Sequence, residues 1–323
     1  MKSGRRSWFR WLGFAVKLAV SVALIWFLLG SVGVRDALDR MLAVHPAWLG
    51  GAMGLAVLQN VLCGIRWSAV SRAINQPLPF LAAIRFFYIG TFFNQLLPST
   101  VGGDAVRVYL THRSGLALGR VVNGVLLDRM VTVLALVTLA TAMLPFAVAG
   151  FTDADWFVRG IWTVLVLAWG GTGFVMVLDR IPVGRLSRFA IVRGLSALAA
   201  DTRVALLRIR HAAPVGFWSV AGHVNLSLMV YALAVGMGND IGIVECLVLF
   251  PPVLLVQTLP ISIAGWGVRE GAMVTLFAFA GVSADSALAL SLLFGVAIAV
   301  TSLPGAILWV LSGKRTVADG DTA

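Results

Sequence analysis

Residues 95–107 read QLLPSTVGGDAVR, and residues 257–269 read QTLPISIAGWGVR. The two stretches align without a gap at an offset of 162, with Gln, Leu, Pro, Gly, Val and Arg in the same six of thirteen places. In each, an apolar run reaches Leu-Pro, a turn of small residues with a central Gly follows, and a new run opens on Val-Arg. A hydrophobic segment broken the same way in two corresponding places is the sequence sign of an internally duplicated transporter with discontinuous helices.

The composition agrees. Of 323 residues, 59% are hydrophobic and 12% charged, and the mean hydropathy is +0.94, a balance that belongs to a polytopic membrane protein. A net charge of +11 would suggest nucleic acid in a soluble chain. Here the basic residues lie between apolar runs, where they set topology and can touch anionic lipid, and no nucleic-acid module stands beside them. Cys63 and Cys246 fall inside apolar runs, and His45, His112, His211 and His223 show no ligand spacing, so no disulfide framework, metal or cofactor is expected. The histidines read as interfacial or structural.

In chain order, Lys2, Arg5, Arg6 and Arg10 precede an apolar run over Trp11–Gly30, too long for a signal-peptide core and expected to be an uncleaved first span with a cytoplasmic N-terminus. A second span is expected at Ala47–Val70. Within it Arg66 reads as snorkelling to the cytoplasmic edge, and Gln59 and Asn60 as interhelical hydrogen-bond partners or part of a polar path. Phe80–Leu97 is apolar, but Asp104, Arg107, His112 and Arg113 follow too closely for the return to face lipid, so residues 80–118 are expected to form a re-entrant hairpin. Val121–Ala149 forms the third span, carrying Asn123, Asp128 and Arg129. Asp128 and Arg129 are about 100° apart on a helix and should meet different partners. After Asp153 and Asp155, Val158–Leu178 makes the fourth span.

Residues 179–213 hold Arg180, Arg185, Arg188, Arg193, Arg203, Arg208 and Arg210, a strong positive-inside signal. The segment reads either as an amphipathic helix on the inner leaflet or as a solvated connector. Pro214–Val235 is the fifth span, with His223 and Asn225 falling close to Gln59 and Asn60 at the same offset. Residues 241–282 should form the second hairpin, and Ala287–Leu311 the last span, before Lys314 and Arg315. The expected fold is therefore all-α, with three transmembrane helices and one re-entrant hairpin per half, six spans and two hairpins in all. The repeats cover 11–149 and 150–311, and an odd number of crossings per half inverts the second. A full crossing by Phe80–Leu97 would turn the arginine-rich segment outward, against the charge bias.

In each turn a half-helix starts just after the glycines, so its free N–H groups and positive dipole end form a ready anion site. Arg107 and Arg269, one turn or less into these helices, add charge with a fork suited to phosphate. Gly102, Gly103, Gly265 and Gly267 would let a ligand approach the backbone. In the opposing reading Arg107 pairs with Asp104 or Asp128 and Arg269 with Glu270, as structural ion pairs. Those carboxylates could also carry protons. Asn94, Gln95 and Gln257 offer neutral hydrogen bonds at similar depth.

The stretch FFNQLLPSTVGGDAVR (92–107), the following LLDRM (126–130) and LPISIAGWGVREGA (259–272) together resemble the lysylphosphatidylglycerol synthase transmembrane region family of flippase-like membrane proteins. The resemblance carries the family pattern onto Asn94, Pro98, Gly102, Gly103, Asp104 and Arg107, then Asp128 and Arg129, then Pro260, Ser262, Gly265, Gly267, Arg269 and Glu270. It implies a lipid translocation domain. In the multiple-peptide-resistance type that domain is fused to a cytosolic aminoacyl-transferase, for which about ten residues after the last span leave no room, so the synthase activity is not expected here. The expected function is translocation of a lipid with an anionic or phosphate-bearing headgroup, without an enzymatic step, in the plasma (inner) membrane with both termini cytoplasmic and with a lipid-synthesis protein as a partner. A membrane-embedded enzyme on a lipid-linked substrate, or an accessory subunit of an envelope-lipid pathway, is the alternative.

Overall fold

Pro46 lies in the first turn of α1 (Pro46–Ala73), where its missing N–H costs nothing. The His45 side chain caps it by accepting from the Ala47 N–H at 3.3 Å. The computed structural model describes residues 39–97, 102–151, 155–180, 189–258 and 265–318. The expected first span at Trp11–Gly30 and the turn residues Pro98, Pro260 and Ser262 lie outside them. The helices that follow are α2 (Phe80–Leu96), α3 (Gly102–Arg113), α4 (Leu118–Ala147), α5 (Asp155–Val177), α6 (Ala190–Leu207), α7 (Ile209–Gly236), α8 (Ile243–Gln257), α9 (Val268–Phe277), α10 (Ala284–Ser302) and α11 (Pro304–Ala318). Among the described residues there is no strand.

Among the described residues, five segments are long and apolar enough to cross a membrane: Pro46–Ala73, Leu118–Ala147, Asp155–Arg180, Ile209–Gly236 and Ala284–Ser312. They are the second to sixth spans expected from the sequence. The last is two helices rather than one, because Pro304 cannot donate into the α10 ladder and opens α11 instead.

Two helix pairs, α2 with α3 and α8 with α9, stand between these segments and run 17, 12, 15 and 10 residues. At about 1.5 Å per residue even the longest reaches only ~26 Å, short of the ~30 Å hydrocarbon core. Small residues bring their backbones together. A Cβ on Gly103 would collide with the Gly90 carbonyl oxygen, and one on Gly64 would stand 2.5 Å from the Ile84 Cα, so α2 seats closely on α3 and on α1. Gly305 meets the Tyr88 carbonyl in the same way at 2.5 Å, which docks α11 on α2.

Among the described residues the interior holds two large apolar cores, with a small third cluster at Leu288 and Ala289. One gathers Trp67 and Val70 of α1, Ala83 of α2, Leu127 and Val131 of α4, Leu198 of α6 and Val215 of α7. The other gathers Ala52 and Ala56 from the opposite half of α1 with Leu144 of α4, Leu233 of α7, Phe250 of α8, Met273 of α9 and Phe294 of α10. Long helices α1, α4 and α7 thread both, while each short pair belongs to one.

Of the arginine-rich segment, α6 is built into the bundle. Leu198, Ala199, Asp201, Thr202 and Ala205 are buried, and Phe189, Ile191 and Leu195 face outward. Arg120 Nη1 of α4 holds the Asp201 carboxylate at 3.1 Å, and Asn123 donates to the Gly194 carbonyl at 3.2 Å. Arg203 donates to Asp179 at 2.5 and 2.7 Å. Burial pushes the Asp201 carboxyl above its ordinary value, with Arg120 and Asn123 pulling the other way.

Candidate functional site

Asp104 and Arg107 lie one helical turn apart on α3, and their side chains meet Asp128 and Arg129 of α4 and Arg66 of α1. Arg66 gives Asp128 two hydrogen bonds, Nε to Oδ1 at 2.8 Å and Nη2 to Oδ2 at 3.3 Å. Arg107 Nη2 takes the same Asp128 Oδ2 at 3.0 Å, and its Nη1 takes Asp104 Oδ1 at 3.0 Å. Arg129 Nε reaches Asp104 Oδ2 at 2.6 Å. The result is an alternating file, Arg66–Asp128–Arg107–Asp104–Arg129, with three cations to two anions. Arg66 is 5% exposed, Asp104 5%, Arg107 3% and Asp128 1%, while the Arg129 side chain is 44% exposed at one end. Asp128 and Arg129 meet different partners, as their angular separation requires.

The Arg107 guanidinium lies between two rings, 4.4 Å from the Trp67 centroid and 4.5 Å from that of Phe87, where the ring quadrupoles favour the cation. Its Nε, the Trp67 Nε1 and the Thr111 Oγ1 are buried without a hydrogen-bond partner among the described residues. Three such groups on two touching elements form an unusual concentration, since buried polar atoms are nearly always satisfied.

Arg269 sits at the second residue of α9 in the other core. Its Nη2 meets Glu270 Oε1 at 2.5 Å and its Nε donates to Ser291 Oγ at 2.9 Å; that hydroxyl in turn donates to Glu270 Oε1 at 3.1 Å. Aromatic rings again flank the guanidinium, Trp266 at 4.7 Å and Phe294 at 5.7 Å. This cluster is neutral where the first is positive by one. Gly265 and Gly267 take φ of +83 and +85°, a backbone that L side chains resist.

The glycine-rich starts of α3 and α9 are partly occupied from within. The Gly103 N–H donates to Asn94 Oδ1 at 2.8 Å, and the Gly267 N–H to Glu270 Oε2 at 2.6 Å. Gly103 faces the Gly90 carbonyl and Gly265 faces the Gln257 side chain, so these two admit protein backbone and side chain. Gly102 and Gln95 are half-buried near the same turn. Arg107 stands in the second turn of α3 rather than the first, because the helix already includes Gly102 and Gly103 instead of starting after them.

Arg66 corrects the sequence reading. It does not snorkel; it is fixed on Asp128, because two buried carboxylates need more cationic partners than Arg107 alone supplies. A signal was present: Gln59, Cys63 and Arg66 recur at the spacing of one helical face. That face is polar in the fold. Asn225 of α7 donates to Gln59 Oε1 and to the Leu55 carbonyl, each at 2.9 Å, and Gln59 donates to Cys63 Sγ at 3.4 Å. Asn60 bonds back to the Ala56 carbonyl of its own helix. Trp67, Phe87, Ser291 and Phe294 were invisible as site residues, being ordinary span residues until the helices bring them to an arginine.

The family model of the lysylphosphatidylglycerol synthase TM region matches residues 14–305. The chain belongs to that family. Among its relatives, a UPF0104 membrane protein of Methanothermobacter thermautotrophicus is 25% identical over 335 residues, covering 92% of each chain. A UPF0104 membrane protein of Pyrococcus horikoshii is 24% identical over 123 residues, 37% of each. Both members of the matched region's two clusters, Arg107 with its file and Arg269 with Glu270 and Ser291, lie within the span that the family model covers.

Proposed function

We propose that this protein moves a phosphate-bearing lipid between the leaflets of the plasma membrane, without chemical change to the lipid. The observation that carries the reading is the first cluster: a file of three arginines and two aspartates in a membrane protein, with the Arg107 Nε, Trp67 Nε1 and Thr111 Oγ1 buried without partners among the described residues. A headgroup phosphate supplies acceptor oxygens for such donors and offsets the excess charge. Arg129, half in the open, is where the headgroup is first met, and the acyl chains stay in the bilayer.

In this reading α2–α3 and α8–α9 are re-entrant hairpins entering from opposite faces, the two halves of an inverted repeat. Supporting it are their lengths, the 162-residue offset of their breaks, and an arginine between aromatic rings in each. Because the arginines are already paired with carboxylates, the phosphate exchanges with a carboxylate rather than entering an empty site. Every carboxylate of both clusters faces an arginine, so none is placed as a general base, which favours transport over catalysis.

The test is reconstitution in liposomes with fluorescent lipids of different headgroups. Exchange of phosphate-bearing lipids is expected in the wild type and loss of at least tenfold in Arg107→Ala with Arg269→Ala. Exchange that survives the double variant would sink the anion-site mechanism. Headgroup modification without exchange would favour the enzyme, and neither would favour an accessory subunit.

A further inference from the structure

His223 stands on α7 one helix away from the first cluster, 95% buried. Its Nε2 lies 2.9 Å from the Thr132 carbonyl oxygen. A carbonyl only accepts, so Nε2 carries the ring's proton and Nδ1 presents a lone pair. That Nδ1 is buried without a partner among the described residues. Thr132 follows Asp128 by one turn of α4, and its hydroxyl donates to the Asp128 carbonyl at 2.6 Å. The imidazole is thus tied to the helix turn that holds the central carboxylate of the file.

The charges around it are few. From α1, Arg66 bears electrostatically on the ring, with Cys63 one turn before it on the same face. From α4 the charged groups of this region are Asp128, already shared by Arg66 and Arg107, and Arg129, which reaches Asp104. Helices α8 and α10 each carry their acidic residue, Glu245 and Asp285, in the first turn. On α6, Asp201 and Arg203 are paired with Arg120 and Asp179, and Arg193 also has a partner. No carboxylate faces His223 without an arginine on it among these ion pairs.

We infer that His223 is a proton-binding site linked to occupancy of the arginine file, taking up a proton at Nδ1 when a headgroup anion engages the cluster. With the file empty, a protonated ring would add a cation beside an excess positive charge. A bound phosphate reverses that sign and makes room for the proton. By linkage the effect is reciprocal, since the proton strengthens anion binding by the same factor. Anion and proton then move together, and a proton gradient drives the lipid. The inference rests on the anion site proposed above.

The test is calorimetric binding of short-chain phosphatidylglycerol to the purified full chain, in buffers of different ionisation heat near neutral pH, with inorganic phosphate as a second probe. About one proton taken up per lipid bound is expected for the wild type. None is expected for His223→Gln, whose amide keeps a donor for the Thr132 carbonyl but has no basic nitrogen. Binding without proton uptake, or uptake undiminished in H223Q, overturns the His223 assignment and leaves the anion site standing; no binding by the wild type overturns both. Equal uptake with inorganic phosphate, counted as the part lost in H223Q because phosphate itself exchanges a proton near neutral pH, keeps the proton site and overturns the lipid as its preferred ligand. If H223Q does not fold, histidine nitrogen NMR of the wild type decides: the His223 ring passes from one protonated nitrogen to two on adding the lipid, and an unchanged ring overturns the inference.

Discussion

Asp128 accepts from arginines on two other helices, α1 and α3, and is 1% exposed. Removing it leaves Arg66 and Arg107 buried and short of a counter-charge, so Asp128→Ala should cost about 3–5 kcal/mol, read as thermal unfolding in detergent. Pairing Asp128→Leu with Arg66→Met should recover part of that loss, because the pair removes one charge of each sign and leaves the file's net charge unchanged. Glycines make an independent test at the same scale. Gly103→Ala would place a methyl against the Gly90 carbonyl and should cost about 1–3 kcal/mol. Gly267→Ala meets a positive φ at about 1–2 kcal/mol. Gly271→Ala, with nothing within 4 Å of an added Cβ, should be neutral or slightly stabilising. Equal melting temperatures for all three variants would contradict the close seating of α2 on α3 and the turn before α9.

At the scale of elements, α6 shows how charge and packing combine. Burial raises the Asp201 carboxyl, so the folded protein holds that proton more tightly than the unfolded chain does. The sign follows: on this account stability falls as pH climbs from the ordinary carboxylate value through the raised folded one. Asp201→Asn should flatten the acid limb of a melting-temperature profile, and an unchanged limb would show that Arg120 compensates fully. The sequence left α6 open between a leaflet-bound helix and a solvated connector, because the arginines around it satisfy either. Its buried stripe of Leu198, Thr202 and Ala205 faces α4, α5 and α7, which no local pattern identifies. The short pairs were more legible. Leu-Pro before a glycine turn, twice, announced α2–α3 and α8–α9, since such a break stops a helix wherever it occurs.

For the whole molecule the prediction concerns sidedness. Cys63 and Cys246 are buried, so an introduced cysteine can be read by impermeant reagents over a quiet background. Ala200→Cys on α6 should label from the cytoplasmic side only, and Asp240→Cys from the outer side. Outward labelling at Ala200 would overturn the inverted repeat, because the arginine-rich segment anchors its orientation. What the sequence determined by itself was the membrane class, five of the spans, the two broken segments and the family, all of which depend on composition and spacing along the chain. It also put Asp104, Arg107, Asp128, Arg129, Arg269 and Glu270 on the candidate list, since charge at membrane depth is costly enough to stand out alone. Only the tertiary structure decided their partners: Arg66 on Asp128, the rings around Arg107 and Arg269, and Ser291 beside Glu270; it also left His223 Nδ1 without a partner among the described residues. Those contacts join helices that are far apart in sequence, and in a membrane, where apolar faces hardly discriminate between neighbours, it is the packing of small residues that selects which helices meet.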